Sequence, residues 1–283
     1  MNQNVGIICE GGGTKAAYTS GVLKALLEHD IKLPYSVGIS AGAENLLPYV
    51  SRQPYRLEVT GIEAGTQKDA VGIRPLFKEG GIFGLHAVFQ FLEKKTPLDY
   101  DTFYKSRTRL DIGLYNIEKG TVEYYSKEYL DKDQTLVKAS CALLLLTKPY
   151  KYLGGLYMDA GLIDMIPIEQ SIRQGNTKHI FISTKEEGYV RKPAPGWQIC
   201  LAKMKYRKYP HVARDLKLRH VRYKEQWDKV EELESKGQAL VLRPSEDHGI
   251  TRYTQDPDKL RGWFQLGYDD TIARLDTIKE FIK

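Results

Sequence analysis

Short apolar runs alternate with longer amphipathic stretches from the start of the chain. Val5-Gly6-Ile7-Ile8-Cys9 is apolar without interruption, the pattern of a strand covered on both faces rather than one. A polar loop over 10–14 follows. The spacing of Val22, Leu23, Leu26 and Leu27 then puts one apolar face on a helix predicted over 17–30. Leu33-Pro34-Tyr35 leads into a second short strand over 36–39, and a second helix is expected just after Ser40. Strand, helix, strand and helix joined by short connections imply a parallel α/β sheet.

Farther on the periodicities mix. Residues 109–116 and 121–126 read as a hairpin around Glu118-Lys119-Gly120, and 150–153 with 156–159 as another closed by Gly154-Gly155. A helix opened by Pro167 should run to Gln174 and stop at Gly175. A strand is expected over 179–184, and 185–195, with Glu186-Glu187-Gly188 and Pro193-Ala194-Pro195, reads as a linker. Beyond it come basic helices, a strand over 239–243 and a last helix with Asp256 as N-cap and Pro257 at its first position. No internal repeat or low-complexity tract interrupts this order.

Composition narrows the class. With 42% hydrophobic and 28% charged residues, the chain can bury a sizeable core, which excludes wholesale disorder. Three cysteines, Cys9, Cys141 and Cys200, argue against a disulfide framework and for a reducing compartment; Cys9, inside the first apolar run, reads as a small buried hydrophobe. Met1–Asn4 is polar and carries no basic cluster, and the run after it is too short for a signal-peptide core. The longest apolar stretch, 139–147, stops at Lys148-Pro149, far short of the roughly 20 residues that span a bilayer. The expected location is cytoplasmic, or peripheral to the inner face of the membrane. The net charge of +6 is concentrated: 203–224 holds nine Lys or Arg and one Asp, leaving the rest of the chain slightly acidic. That segment reads first as a solvated helix face and second as a contact for anionic lipid headgroups. No recognised nucleic-acid motif accompanies it, so nucleic acid is not an expected partner.

The candidate chemistry lies at the strand ends. Gly38-Ile39-Ser40-Ala41-Gly42 fits G-x-S-x-G, in which a nucleophile stands on a tight strand-to-helix turn and the crowding two residues to either side requires glycine. Gly11-Gly12-Gly13-Thr14-Lys15 follows the first strand. Its amides can turn into a cavity and hold the negative oxygen of an acyl intermediate, with Lys15 adding positive charge. The same loop also fits the dinucleotide fingerprint through Gly11, Gly13 and Ala16, but the second strand ends in Ser40 rather than the acid that fold needs. Lys15 is followed by Ala16, so the P-loop pattern fails. Asp159, ahead of Ala160-Gly161, closes a strand-like run and can face the serine turn; a dry site would make it basic enough to act. His179, His211, His220 and His248 follow it in the order a triad would need. None has a motif around it, and each reads as a surface or packing histidine. No cluster has metal-ligand spacing, so neither metal nor cofactor is expected.

In this order, Gly11-Gly12-Gly13-Thr14-Lys15-Ala16, Gly38 to Gly42 and Asp159-Ala160-Gly161 resemble the three motifs of the patatin-like phospholipase family. Ala139-Ser140-Cys141-Ala142 and Asp164-Met165-Ile166-Pro167-Ile168 extend the likeness over 5–172, and 185–283 resembles the C-terminal extension of the bacterial members. The resemblance implies a three-layer α/β/α fold with a mainly parallel central sheet, plus a smaller, mostly helical C-terminal part. It implies a serine ester hydrolase acting on phospholipid or other acyl-ester lipid through a dyad of Ser40 and Asp159, an oxyanion hole at Gly11, Gly12, Gly13 and Lys15, and a nucleophile elbow between Gly38 and Gly42. Ala16 and Ala160 stand where the family has glycine. That departure motivates the alternative of a lipid-binding module with a degraded site.

Overall fold

The computed structural model describes residues 4–283; the polar start at Met1–Gln3 lies outside the described residues. Eight strands form one sheet: β1 (Val5–Cys9), β2 (Tyr35–Ile39), β3 (Arg109–Asn116), β4 (Thr121–Ser126), β5 (Tyr150–Tyr152), β6 (Gly155–Asp159), β7 (Lys178–Ile182) and β8 (Ala239–Leu242). Along the sheet the order is β5-β6-β3-β2-β1-β7-β8, with β4 hydrogen-bonded to β3. The run from β3 through β2, β1 and β7 to β8 is parallel, while β4, β5 and β6 join antiparallel.

Alternate residues of the same strands feed two separate cores, as the pleat requires. Val5, Ile7, Cys9, Ile180, Ile182 and Leu240 face one core, together with helices Ala17–Glu28, Ala41–Val50 and Pro257–Ala273. Ile8, Phe181 and Val241 face the other, with Ile168 and the distal half of helix Pro210–Ser235, where Tyr223, Val230 and Leu233 point inward. Burial on both faces gives the three-layer arrangement and explains why β1 carries no polar alternation.

The C-terminal part shares this frame. β8 extends the sheet beside β7, and helix Pro257–Ala273 lies along helix Ala17–Glu28. Trp263 is fully buried 5.7 Å from the Tyr18 ring, and its indole N–H donates to the Lys15 carbonyl at 2.8 Å. Asp256 caps that helix as the sequence predicts, accepting from the amides of Asp258 and Lys259 at 3.0 and 3.2 Å.

Several boundaries move. The first helix starts with a 3-10 turn at Gly13–Ala16 and ends at Glu28. β7 stops at Ile182, because Ser183 and Thr184 turn to hydrogen-bond the buried Glu10 carboxylate. No helix is long and apolar enough to cross a membrane among the described residues.

Candidate active site

Sheet register brings the two proposed reacting side chains together. β4 takes one edge of β3 from Asp111 to Asn116. On the opposite edge β2 pairs as far as Ile39 with Gly113, and β6 takes over at the next rung, where Asp159 pairs with Leu114. The two strands meet end to end, so Ser40 and Asp159 occupy neighbouring positions although 118 residues separate them in the chain. Both are nearly enclosed, at 7% and 6% exposure, and the Ser40 hydroxyl is near enough to the Asp159 carboxyl to lower its proton affinity.

The serine turn is strained in the way a nucleophile elbow demands. Ser40 has φ 56° and ψ −135°, outside the ordinary left-handed well and costly for a residue with a side chain. Ser140 holds it: its hydroxyl accepts the Ser40 N–H at 2.9 Å and donates to the Gly113 carbonyl at 2.9 Å, so the motif Ala139-Ser140-Cys141-Ala142 buttresses the elbow. A Cβ on Gly38 would lie 2.7 Å from the Ala43 nitrogen, and one on Gly42 2.4 Å from the Cys9 carbonyl oxygen, so both positions need glycine.

Gly11 passes so close that an added Cβ would stand 2.7 Å from the Ser40 Cβ. Gly13 has φ +57° and lies against the Arg252 backbone, whose carbonyl accepts the Thr14 N–H at 3.3 Å. The amides of Gly11, Gly12 and Gly13 find no acceptor among the described residues. These three glycines line one pocket with Ser40 and Asp159.

Lys15 is not brought into this pocket. Its ammonium pairs with Glu186 at 3.4 Å and lies 5.6 Å from the centre of the Trp263 ring, because the 3-10 turn directs it toward the C-terminal part. The cations lining the pocket are Lys185, Arg191, Arg219 and Arg252. Residues 185–195, read as a linker, therefore run along the site. The basic stretch 203–224 is only partly solvated: Arg214 and Arg222 pair with the fully buried Asp215 at 3.1 and 3.0 Å, and Arg219 turns inward, where its Nε donates to the Gly161 carbonyl. The i, i+4, i+7 spacing of Asp215, Arg219 and Arg222, with the stretch's one acid at its head, was the available signal of an inward face.

Electrostatics follow from this crowding. Burial pushes the Asp159 carboxyl above the usual carboxylate range. The Ser40 hydroxyl, the Gly161 amide at 2.7 Å and the charges of Arg219 and Arg252 pull it part of the way back. A buried carboxylate with raised proton affinity, beside a hydroxyl, is the arrangement a general base needs. Glu10 is saturated by Ser183, Thr184 and Tyr223 at 2.6–3.3 Å and has no room to serve as a second base.

Ser40 also opens onto an apolar cleft lined by Ala17, Ala41, Ala64, Val71, Phe83, Leu85, Val88 and Leu143, with Glu44 at the start of helix Ala41–Val50. Ala16 and Ala160 are buried; neither lines the pocket that holds Asp159, while Ala16 lines the apolar cleft. The histidines lie elsewhere: His179 is buried against Ser171, His211 contacts the Ile117 carbonyl and His248 faces Glu246. Among the described residues no group of three or more His, Cys, Asp or Glu side chains is placed to hold a metal ion.

Comparison with known proteins supplies the context. A family model described as patatin-like phospholipase matches residues 7–172, and one described as a domain of unknown function, DUF6363, matches 209–283. The "Uncharacterized protein YjjU" of Escherichia coli is 25% identical over 196 residues, covering 64% of this chain and 52% of its own. The "Probable lipid hydrolase 463L" of Invertebrate iridescent virus 6 is 23% identical over 189 residues, covering 61% and 65%. This chain thus spans about half to two thirds of the curated relatives it matches. VipD from Legionella pneumophila superimposes with a TM-score of 0.48 at 15% identity, over 97% of this chain and 67% of its own.

Proposed function

The chain belongs to the patatin-like phospholipase family, and we propose on that premise that it is a lipid acyl hydrolase working through Ser40 and Asp159. The observation carrying this reading is the meeting of β2 and β6 on one edge of β3, which sets a strained serine against a dry carboxylate beneath three amides that have no acceptor among the described residues. In this mechanism the Ser40 Oγ attacks the ester carbonyl while its proton passes to Asp159. The amides of Gly11, Gly12 and Gly13 hold the tetrahedral oxyanion. Collapse expels the alcohol, which takes the proton back from Asp159 and leaves an acyl-serine. Water, deprotonated by the same carboxylate, then releases the fatty acid. No histidine is required, in keeping with the placement of His179, His211, His220 and His248 outside this pocket.

The apolar cleft beside Ser40 suits the acyl chain, and the exposed Val190, Trp197 and Met204 suit contact with a lipid surface. The cations of 203–224 left facing solvent, among them Lys203, Lys208 and Lys217, would add attraction to an anionic membrane face. In this reading 5–172 is the acyl hydrolase unit and 185–283 an extension that closes its site. A lipid-binding module without catalysis is the weaker reading, since Ala160 lines neither cavity at Ser40 and Ala16 lines only the apolar cleft, away from Asp159.

Ser40→Ala tests the assignment. Hydrolysis of a short-chain p-nitrophenyl ester should fall by about 10³-fold or more while the circular dichroism spectrum is retained. A fluorophosphonate should label the wild-type chain at Ser40 and leave the variant unlabelled. Unchanged turnover in the variant, or labelling at another residue, removes the reading.

A further inference from the structure

We propose that Lys185, Arg191, Arg219 and Arg252 form an anion-binding site for the phosphate of an acidic lipid headgroup, giving the C-terminal part of the chain a direct role in choosing the substrate. The proposal rests on the hydrolase reading above and deepens it.

Four cationic side chains line the Ser40 pocket against two carboxylates, and both carboxylates are already engaged. Glu10 accepts from Ser183, Thr184 and Tyr223 and lies 3.5 Å from the Lys185 ammonium. Asp159 serves Ser40 and the Gly161 amide. Some arginines elsewhere that the fold draws in do have acids beside them: Arg56 on Glu93, Arg222 on Asp215, Arg243 near Glu187 and Glu234. Arg191, Arg219 and Arg252 have no ion pair of this kind among the described residues. The Arg191 Nε is buried with no hydrogen-bond partner, its guanidinium lying 4.5 Å from the centre of the Tyr223 ring. Arg219 is anchored through its Nε to the Gly161 carbonyl, which leaves the outer edge of its fork free.

Gathering four cations around two carboxylates is costly, and the titration of the group reflects it. Burial and the neighbouring Arg191, Lys15 and Arg252, opposed by Glu10, hold Lys185 down at about 8. Burial together with Arg191 and Arg252 brings Arg219 down to about 9. A bound dianion would relieve both. Guanidinium forks match phosphate oxygens two by two, and a concave pocket of one sign concentrates the attraction.

The layout selects a phosphate joined to an acyl ester. Ser40 lines two cavities. One is the apolar cleft, which has no cation in its lining; the other is the cationic pocket. An ester carbonyl at Ser40 would therefore have hydrocarbon on one side and phosphate on the other. The developing oxyanion does not need these charges, because the glycine amides already face it. Arg219 and Arg252 both lie in 209–283, the stretch matched by the domain of unknown function, and Arg191 lies between the two family matches.

The test compares phosphatidic acid with diacylglycerol in mixed micelles, two substrates that differ by the phosphate alone. The wild-type chain should favour phosphatidic acid by about tenfold or more in kcat/KM. Arg191→Gln and Arg252→Gln should each cut that ratio by about tenfold, chiefly through KM, with Arg252→Lys recovering part of it. Lys259→Gln, an exposed cation on helix Pro257–Ala273, controls for net charge and should leave the ratio intact. Competitive inhibition by inorganic phosphate would mean that the free ion suffices; selectivity without such inhibition would mean that the phosphate is recognised only on the lipid. An equal rate on both substrates, or variants that lower both in proportion, overturns the site. If no ester is hydrolysed, co-sedimentation of the Ser40→Ala chain with phosphatidic acid vesicles decides. Binding stronger than to phosphatidylcholine vesicles, and lost in Arg191→Gln and Arg252→Gln, keeps the anion site while the hydrolase reading falls. Equal binding removes the site as well.

Discussion

Residues up to 172 and residues from 185 onward contribute to the same pocket by different physical means. The first region places its groups through backbone geometry. Gly11–Gly13, Ser40 and Asp159 stand at or just beyond the ends of β1, β2 and β6, and their positions follow from strand register and from turns that admit only glycine. The second region works through long side chains. Arg219 reaches in from the flank of helix Pro210–Ser235, and Lys185, Arg191 and Arg252 from loops. Register holds groups on strand ends in fixed relation, the kind of placement that the proposed acyl transfer would require. Long flexible cations supply charge, for which exact placement matters less. One region is thus suited to chemistry and the other to recognition.

Asp159→Asn attacks the first half of that contrast and should have the largest effect. The amide keeps the size of the side chain and cannot take the Ser40 proton, so ester hydrolysis should fall by about 10³-fold with the melting temperature little changed. In the wild-type chain the rate should drop as pH falls through the raised Asp159 pKa, since the protonated acid accepts nothing. A variant keeping most of its activity would mean that the register brings together a structural pair rather than a reacting one.

The same contrast raises the question of whether the C-terminal part folds separately. Trp263 is buried between helices Pro257–Ala273 and Ala17–Glu28, and it bonds the Lys15 carbonyl beside the glycine loop. Trp263→Ala should cost about 3–5 kcal/mol. Urea unfolding followed by fluorescence of the remaining tryptophans and by circular dichroism should still give coincident transitions. Two separated transitions would show that the C-terminal helices are an independent unit docked on the sheet.

Legibility in the sequence divides along the same line. The glycine loop, the elbow and the aspartate turn were readable because tight turns leave glycines at fixed spacing, and the hairpins because Gly120 and Gly154 mark their ends. The Ser40–Asp159 pairing needed the register of β3, which no local pattern encodes. Helix Leu85–Lys95 keeps a buried face in Leu85, Phe89 and Leu92 that the spacing does display, whereas the other helices between Pro54 and Lys105 are short and irregular. Helix Ile73–Glu79 leaves Ile73 and Phe77 exposed, and helix Pro54–Glu58 runs directly into a π turn. The cationic pocket escaped for a different reason. Arg191 and Arg252 lie on loops, where no periodicity separates an inward arginine from a solvated one, and Lys15, the basic residue beside the motif, was the natural but displaced choice.

Ser140 is the support on which the strained serine depends, and it comes from the first region. Ser140→Ala removes the acceptor of the buried Ser40 N–H. It should cost about 1–3 kcal/mol in stability and, by letting the elbow relax, about tenfold in kcat with KM nearly constant. A shift confined to KM would place Ser140 in substrate binding instead.

The smallest expected effect concerns Glu44, the acid set in the apolar cleft opposite the cations. Desolvation raises its carboxyl to about 7 despite the distant charge of Arg56. In the unfolded chain the group titrates near its ordinary value of 4.5, so between there and about 7 the folded state holds a proton that the unfolded state has released. Stability must therefore decline as pH rises across that window. Because the side chain is only partly buried, the full shift is discounted to about 1–2 kcal/mol. Glu44→Gln has no proton to hold and should lack this decline, so urea midpoints at about pH 5 and about pH 8 should differ less in the variant than in the wild-type chain. Equal differences would mean that water in the cleft already solvates the carboxylate. The division of the site into a dry acyl side and a charged headgroup side would then fail at its dry end.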